Sequence, residues 1–120
     1  MKIDAFAHIM TPQYTEKFRK INPAIEKRVE YYTPPVINLD IRLRLMERYP
    51  DVLQMLTVAN IPLETFAPEN SVELARLAND ELTELVLKYP NKFFGAAACL
   101  PMNNIDEALK EFERAITKNR

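Results

Sequence analysis

Hydrophobic and polar residues alternate over residues 2–9, KIDAFAHI, near the start of the chain. A two-residue period is typical of a β-strand that buries one face. Strict alternation places Asp4, Phe6 and His8 on one face and the residues between them on the other. The pattern therefore predicts a first strand that presents His8 at its carboxyl end.

Two helices are predicted to follow this strand. The first begins at Pro12 with Thr11 as its cap, because proline is favoured at the first helical position. A second helix is predicted to begin near Asn38 or Asp40 and to stop before Pro50, since the residue before a proline is biased away from helix. Its predicted apolar stripe consists of Ile41, Leu43, Leu45 and Met46.

Capping-box spacing predicts two further helices. Asn70 precedes Glu73, and Asn104 precedes Glu107, each by three residues. Pro90 marks the end of the longer helix. Apolar residues recur at helical spacing in both segments. They are Leu74, Ala78, Leu82, Leu85 and Tyr89 in the first segment, and Ile105, Ala108, Leu109, Phe112 and Ile116 in the second.

Apolar runs at residues 52–59 and 93–100 predict a second and a third strand. Strands that alternate with helices imply a parallel sheet, either open and doubly wound or closed as a (β/α)8 barrel. Three units in 120 residues are about forty residues each, and eight such units would make a barrel of roughly 300 residues. An open three-stranded sheet would leave apolar edges uncovered, so the pattern favours the first part of a barrel.

Charge and composition exclude several classes of partner. Sixteen basic residues face 17 acidic ones, for a net charge of -1, which argues against nucleic acid. The longest apolar run, residues 93–102, is far shorter than the roughly 20 residues of a membrane helix. The single cysteine, Cys99, indicates a buried strand thiol and a cytoplasmic protein. Outward acidic positions such as Glu73, Glu81 and Glu84 are predicted to be solvated.

Ligands bind at the carboxyl ends of the strands in both architectures, which makes His8 the candidate metal ligand. It is the only histidine of the chain. Asp4 would lie about 13 Å deeper along the strand, too far to share a metal, and is predicted to be a hydrogen-bond anchor. Asn60 and Asn103 could orient a substrate, although turn or cap roles are commoner for asparagine at such positions.

Three stretches of sequence carry a family resemblance. They are KIDAFAHIMTP, the segment Arg42–Met46, and the long run ARLANDELTELVLKYPNKFFGAAACLPMNNIDEALKEFERAI. In these stretches the chain resembles the amidohydrolase superfamily, in the branch of aminocarboxymuconate semialdehyde decarboxylase and related metal-dependent hydrolases and decarboxylases. The resemblance implies the first three β/α units of a TIM-type barrel. It also implies a divalent metal, and zinc is the metal expected.

The resemblance also implies two histidine ligands on the first strand. Only His8 matches, because Phe6 stands at the position of the first histidine. Three explanations stay open: a metal with fewer ligands, a reaction without the usual metal, or lost chemistry. The first is favoured because His8 is retained and an aromatic ring fills the place beside it.

Two functions follow as alternatives. In the first, residues 1–120 are one partial domain of a metal-dependent hydrolase or non-oxidative carboxy-lyase for a small carboxylated or cyclic substrate. Met10, Asn60 and Met102 follow the carboxyl ends of the three predicted strands, which form the rim of such a barrel, and they would shape its pocket. This piece alone is expected to be inactive, because the remaining ligands of the family lie in later strands. In the second, it is a non-catalytic α/β module that forms homo-oligomers or binds a partner chain through open strand edges.

Overall fold

A computed structural model of the chain describes residues 1–25, 27, 33–59 and 62–118. Three strands lie in these residues: β1 (Lys2–Ile9), β2 (Val52–Val58) and β3 (Phe93–Ala96). The α-helices are α1 (Pro12–Ile21), α2 (Pro34–Ile37), α3 (Leu39–Met46), α4 (Pro68–Lys88) and α5 (Ile105–Lys118), with short 3₁₀ turns at Pro23–Ile25 and Leu63–Thr65. Within the described ranges, no helix has the length and apolar character needed to cross a membrane.

The strands form a parallel sheet in the order β1-β2-β3, as predicted. Strand β3 is shorter than predicted and ends at Ala96 instead of residue 100. Its last ladder bond runs from the Ala97 amide to the Leu56 carbonyl. Beyond that point the Asn79 side chain binds the backbone of Cys99, which draws the chain away from the ladder.

A bulge in β1 corrects the predicted alternation. Asp4 lies opposite Gln54, but Ala7 lies opposite Leu56, so one extra residue is inserted between them. The bulge puts Asp4 on the same side of the sheet as Ala7, and not on the side of His8. The Phe6 amide donates to Asp4 Oδ1 at 3.3 Å, which fits the predicted anchoring role of Asp4.

One face of the sheet carries the core. Ile9, Leu56 and Phe93 pack there with Met46 of α3 and Leu82 of α4, each no more than 6% exposed. A second cluster joins α1 and α4 beyond the strand ends. Its buried members are Met10, Tyr14, Phe18, Ala59, Leu63, Leu74, Ala75 and Ala78. The helices therefore cover one face, while the other face is more open.

Glu81 caps helix α1 from a different helix. Its carboxylate accepts hydrogen bonds from the amides of Gln13 at 3.1 Å and Tyr14 at 2.7 Å. Thr11 precedes the helix as predicted, but its side chain makes no cap bond. The prediction that Glu81 is merely solvated is wrong, because the two free amides of α1 need an acceptor. Helix α4 itself begins at Pro68, so the predicted cap Asn70 lies inside it.

Replacing Glu81 with alanine is expected to lower the free energy of unfolding by about 1 kcal/mol, as for a lost helix cap. Amide hydrogen exchange at Gln13 and Tyr14 should also accelerate. Urea unfolding and exchange NMR measure the two effects. Glu84→Ala, an exposed change on the same helix, is the control. Equal stability and equal exchange in the two variants would contradict the capping role.

Helix α5 binds α4 through a buried ionic cluster. Glu111 is only 3% exposed, and it accepts from Asn79 Nδ2 at 2.8 Å and from both Nε and Nη2 of Arg114. Arg114 also donates to Asp80 at 2.6 Å. The apolar stripe predicted for α5 is present, but only Ala108 is buried. The four larger residues, Ile105, Leu109, Phe112 and Ile116, are 41–63% exposed.

Stability should depend on pH through Glu111. Burial raises the pKa of this carboxyl, but the hydrogen bonds from Arg114 and Asn79 outweigh burial and leave it below its usual value. A carboxyl whose pKa is lower in the folded than in the unfolded state stabilises the fold at pH values above the unfolded pKa, which is about 4.3 for glutamate. This contribution is lost as the pH falls through the folded-state pKa. We therefore expect Glu111→Gln to cost about 2 kcal/mol at pH 7 and less at pH 3.

Urea unfolding between pH 3 and 7 measures this difference. Glu113→Gln is the matched control, since Glu113 is exposed on the same helix. A cost of Glu111→Gln that stays constant across the pH range would contradict the ionic role.

Candidate functional site

Strand β1 presents His8 on the face of the sheet opposite the helices. Its neighbours Ala7 and Ile9 are buried on the helix side, and successive side chains in a strand point to opposite faces. His8 lies opposite Thr57 of β2, and its Nδ1 is 2.9 Å from Thr57 Oγ1. One ring nitrogen thus has a fixed partner, and the exposed ring is held close to the carboxyl end of the strand.

Phe6 lies beside His8. The two ring centroids are 4.7 Å apart with an interplanar angle of 66°, and Phe6 is 69% exposed. Two metal-bound nitrogens in a tetrahedral zinc site lie about 3.3 Å apart, from bond lengths near 2.05 Å. Positions 6 and 8 are thus neighbours on one face of the sheet, but phenylalanine has no donor atom and cannot supply such a nitrogen.

Arg42 is a buried charged residue beside His8 that the sequence reasoning missed. It lies in α3 between two residues of the predicted apolar stripe. Arg42 is only 4% exposed, whereas the stripe residues Ile41 and Leu45 are 38% and 42% exposed. Its guanidinium donates from Nε to the Pro35 carbonyl at 2.9 Å and from Nη1 to Gln54 Oε1 at 2.6 Å. From Nη2 it donates to the carbonyl of His8.

The electrostatics of Arg42 follow from this burial. Burial lowers the pKa of its guanidinium, and attraction by Asp4 opposes the shift. The β1 bulge makes that attraction possible, because it moves Asp4 to the helix side. A buried charge needs partners that satisfy its hydrogen-bonding groups, and here two backbone carbonyls and an amide oxygen do so. The sequence signal for this site was the segment Arg42–Met46, which carries part of the family resemblance and begins with this arginine.

Asn79 holds the segment that follows β3. Its Oδ1 accepts from the Cys99 amide at 2.7 Å, and its Nδ2 donates to the Cys99 carbonyl at 2.9 Å. Asn79 is 3% exposed, so these bonds are shielded from water. The pair fixes the backbone at the carboxyl end of β3, as Arg42 does at the end of β1.

The two predicted pocket residues that the structure describes, Met10 and Met102, differ in exposure. Met10 is 4% exposed in the helix-side core, which gives it a packing role and leaves almost no surface for a substrate. Met102 is 53% exposed in the loop before α5. Asn103 donates to the Phe66 carbonyl at 2.8 Å, so it ties two rim loops together. Asn60 lies outside the described residues.

The metal prediction can be tested against the donor atoms present. Within residues 1–25, 27, 33–59 and 62–118, no three histidine, cysteine, aspartate or glutamate side chains are grouped so that they could hold a metal ion. His8 has Phe6 beside it instead of a second donor. The described residues therefore do not fit a complete metal site.

Comparison with known proteins identifies relatives of the chain. Gamma-resorcylate decarboxylase of Rhodococcus jostii (strain RHA1) is 37% identical over 81 residues, which are 66% of this chain and 24% of that enzyme. The enzyme of the same name from Rhizobium sp. (strain MTP-10005) is 35% identical over 79 residues. Over this region the chain is related to the amidohydrolase-type decarboxylases. It spans about a quarter of the length of these curated relatives. No family model matches the chain.

Solved structures share the fold of this chain over almost its whole length. A protein from Staphylococcus aureus described as an amidohydrolase superposes with a TM-score of 0.73 and 28% identity, over 99% of this chain and 35% of that one. Dihydroxybenzoic acid decarboxylase from Polaromonas sp. JS666 was solved with manganese and the inhibitor 2-nitroresorcinol. It superposes with a TM-score of 0.73 and 25% sequence identity, over 98% of this chain and 35% of that one. Three parallel strands with flanking helices thus match an amino-terminal portion of the amidohydrolase TIM barrel, as predicted.

The segment ANDEL, which carries much of the resemblance, has a structural explanation. Its three polar residues each bind a different element. Asn79 binds the Cys99 backbone, Asp80 accepts from Arg114 of α5, and Glu81 caps α1. This amidohydrolase-like segment therefore joins α4 to α1, to α5 and to the chain after β3.

Cys99 should react slowly in the folded protein. Burial, with a smaller effect of Glu111, raises the pKa of its thiol to about 11. The thiolate is the reactive form, and at pH 8 a thiol with this pKa is ionised to only about 0.1%, against roughly a quarter for an ordinary cysteine. We expect a thiol reagent to modify the folded chain at least about 100-fold more slowly than the urea-unfolded chain. Similar rates in the two states would contradict this environment.

Proposed function

We propose that this chain forms the first three β/α units of a barrel that catalyses non-oxidative decarboxylation of a small hydroxylated aromatic carboxylate. The observation that carries the proposal is the placement of His8 on the face opposite the helices, near the carboxyl end of β1. In (β/α)8 enzymes that face is the barrel interior, and the carboxyl ends of the strands hold the active site. The curated relatives are named for such a reaction.

The reaction class sets what the complete site must do. The bond between the ring carbon and the carboxylate breaks, carbon dioxide leaves, and a proton takes its place on the ring carbon. In this proposal the chain contributes His8, oriented by Thr57 at 2.9 Å, and the half-exposed Met102 at the rim. Residues 1–120 are one partial domain of this barrel, and Asn60 keeps its predicted role in the pocket.

We propose His8 as one ligand position for a divalent metal, zinc in our prediction. The described residues do not fit a metal by themselves, so the other ligands must come from elsewhere in the protein. The chain alone is accordingly expected to be inactive. We further propose a cytoplasmic location, because the single cysteine of the chain, Cys99, has no second cysteine with which to form an internal disulfide.

A second candidate function is a module that associates through its open surfaces. The observations that favour it are the exposed apolar residues of α5, at 41–63%, and the outer edges of β1 and β3. Pairing of two copies would cover such edges. A mass in solution of one chain, 14.0 kDa, would argue against this alternative.

The ligand position can be tested by restoring a donor. Phe6→His places a second imidazole next to His8, where the ring centroids are now 4.7 Å apart. We expect zinc to bind this variant at least tenfold more tightly than it binds the unaltered chain, because two donors replace one. Isothermal titration with zinc and with manganese measures the affinity.

The control is Phe6→His combined with His8→Ala, which should return the affinity to that of the unaltered chain. Phe94→His, at an exposed phenylalanine of β3, shows what an added histidine does elsewhere. If Phe6→His binds zinc no better than Phe94→His, positions 6 and 8 do not form a ligand pair and the proposed metal position is wrong.

A further inference from the structure

We infer that Arg42 is the positioning residue for His8. The inference rests on the proposed role of His8 at the rim and concerns how that role is prepared. The His8 side chain is exposed and lies in an edge strand, so it needs support to keep one orientation. Arg42 provides the backbone half of that support, and Thr57 provides the ring half.

The guanidinium of Arg42 contacts three different parts of the fold. One guanidinium edge donates to the carbonyl of His8 itself, and the others reach the Pro35 carbonyl and Gln54 Oε1. Gln54 lies on β2 opposite Asp4. One side chain thus joins the candidate residue, the neighbouring strand and the segment that enters α3.

Arginine suits this position because its planar fork presents several donors in a fixed geometry. Lysine has the charge, but its three donors share one nitrogen, whereas the contacts of Arg42 use three separate nitrogens of the guanidinium. The buried guanidinium is also far less mobile than an exposed one would be. The carbonyl of residue 8 belongs to one of the two peptide planes that flank the Cα atom of His8. Fixing this carbonyl therefore limits the orientation of the Cα–Cβ bond from which the side chain extends.

The ring is fixed separately by Thr57. Its Oγ1 lies 2.9 Å from Nδ1, which leaves Nε2 as the ring nitrogen available to a ligand or substrate. Metal-binding and catalytic histidines commonly have such a partner on the other nitrogen. Arg42 and Thr57 therefore act on different atoms of the same residue, and their effects can be separated by experiment.

The single histidine of the chain makes the test direct. Histidine labelled with ¹³C at the carbonyl and ¹⁵N in the ring gives one carbonyl signal and one pair of ring signals in NMR spectra. In Arg42→Met we expect the carbonyl signal to move upfield, because the hydrogen bond is lost, and the ring ¹⁵N signals to change as well. Arg42→Lys should fail to restore either signal fully. Thr57→Val should change the ring signals while the carbonyl signal stays in place.

Two controls separate positioning from general stability. Arg44→Met removes an exposed arginine from the same helix and should leave both signals unchanged. Glu111→Gln lowers stability far from β1 and should also leave them unchanged. If Arg42→Met moves only the carbonyl signal, or neither signal, the positioning role is overturned, whatever the stability. These NMR signals require neither bound metal nor turnover. The positioning role of Arg42 can therefore be overturned while the proposed decarboxylase function stands, and the decarboxylase function can be overturned while the positioning role stands.

Discussion

The buried guanidinium of Arg42 is the interaction on which the candidate site depends. Strand β1 is an edge strand, and its Ile9 carbonyl accepts from the Ala59 amide, so the preceding His8 carbonyl faces away from β2 and needs another donor. Arg42 supplies donors to the carbonyls of His8 and Pro35, and Asp4 supplies the compensating charge through the β1 bulge. A side chain of this cost in desolvation is retained in a small core only where several acceptors offset it.

The same principle recurs at the other rim segments. Asn79 fixes the backbone of Cys99, and Glu81 holds the first amides of α1. Each of these side chains comes from a helix and binds the end of another element. Polar residues of the motifs that resemble the amidohydrolases thus stabilise the loops and helix ends next to the carboxyl ends of the strands. These scaffold contacts do not involve position 6, where Phe6 stands in place of the histidine that the resemblance predicts.

The sequence was sufficient for the fold class and insufficient for the polar interior. Periodicity located the three strands and the long helices, since burial on the sheet side follows from alternation and from the 3.6-residue repeat. It misplaced Asp4, because a bulge shifts register without a sequence signature. It also missed Arg42 and Glu81, because a buried charge looks like a solvated one until its tertiary partners are known. The apolar stripe of α5 follows the helical period as predicted, but its large residues are exposed. Periodicity identifies an apolar helix face and not the element that packs against it.

The account places His8 on the open face of the sheet, between Phe6 and Thr57, and this placement can be measured directly. Nuclear Overhauser contacts from the only imidazole of the chain would identify its neighbours in solution. The account predicts contacts from the His8 ring to the Phe6 ring and to the Thr57 methyl group. Contacts instead to the core residues Met46 or Leu82 would place His8 on the helix side and contradict the candidate site.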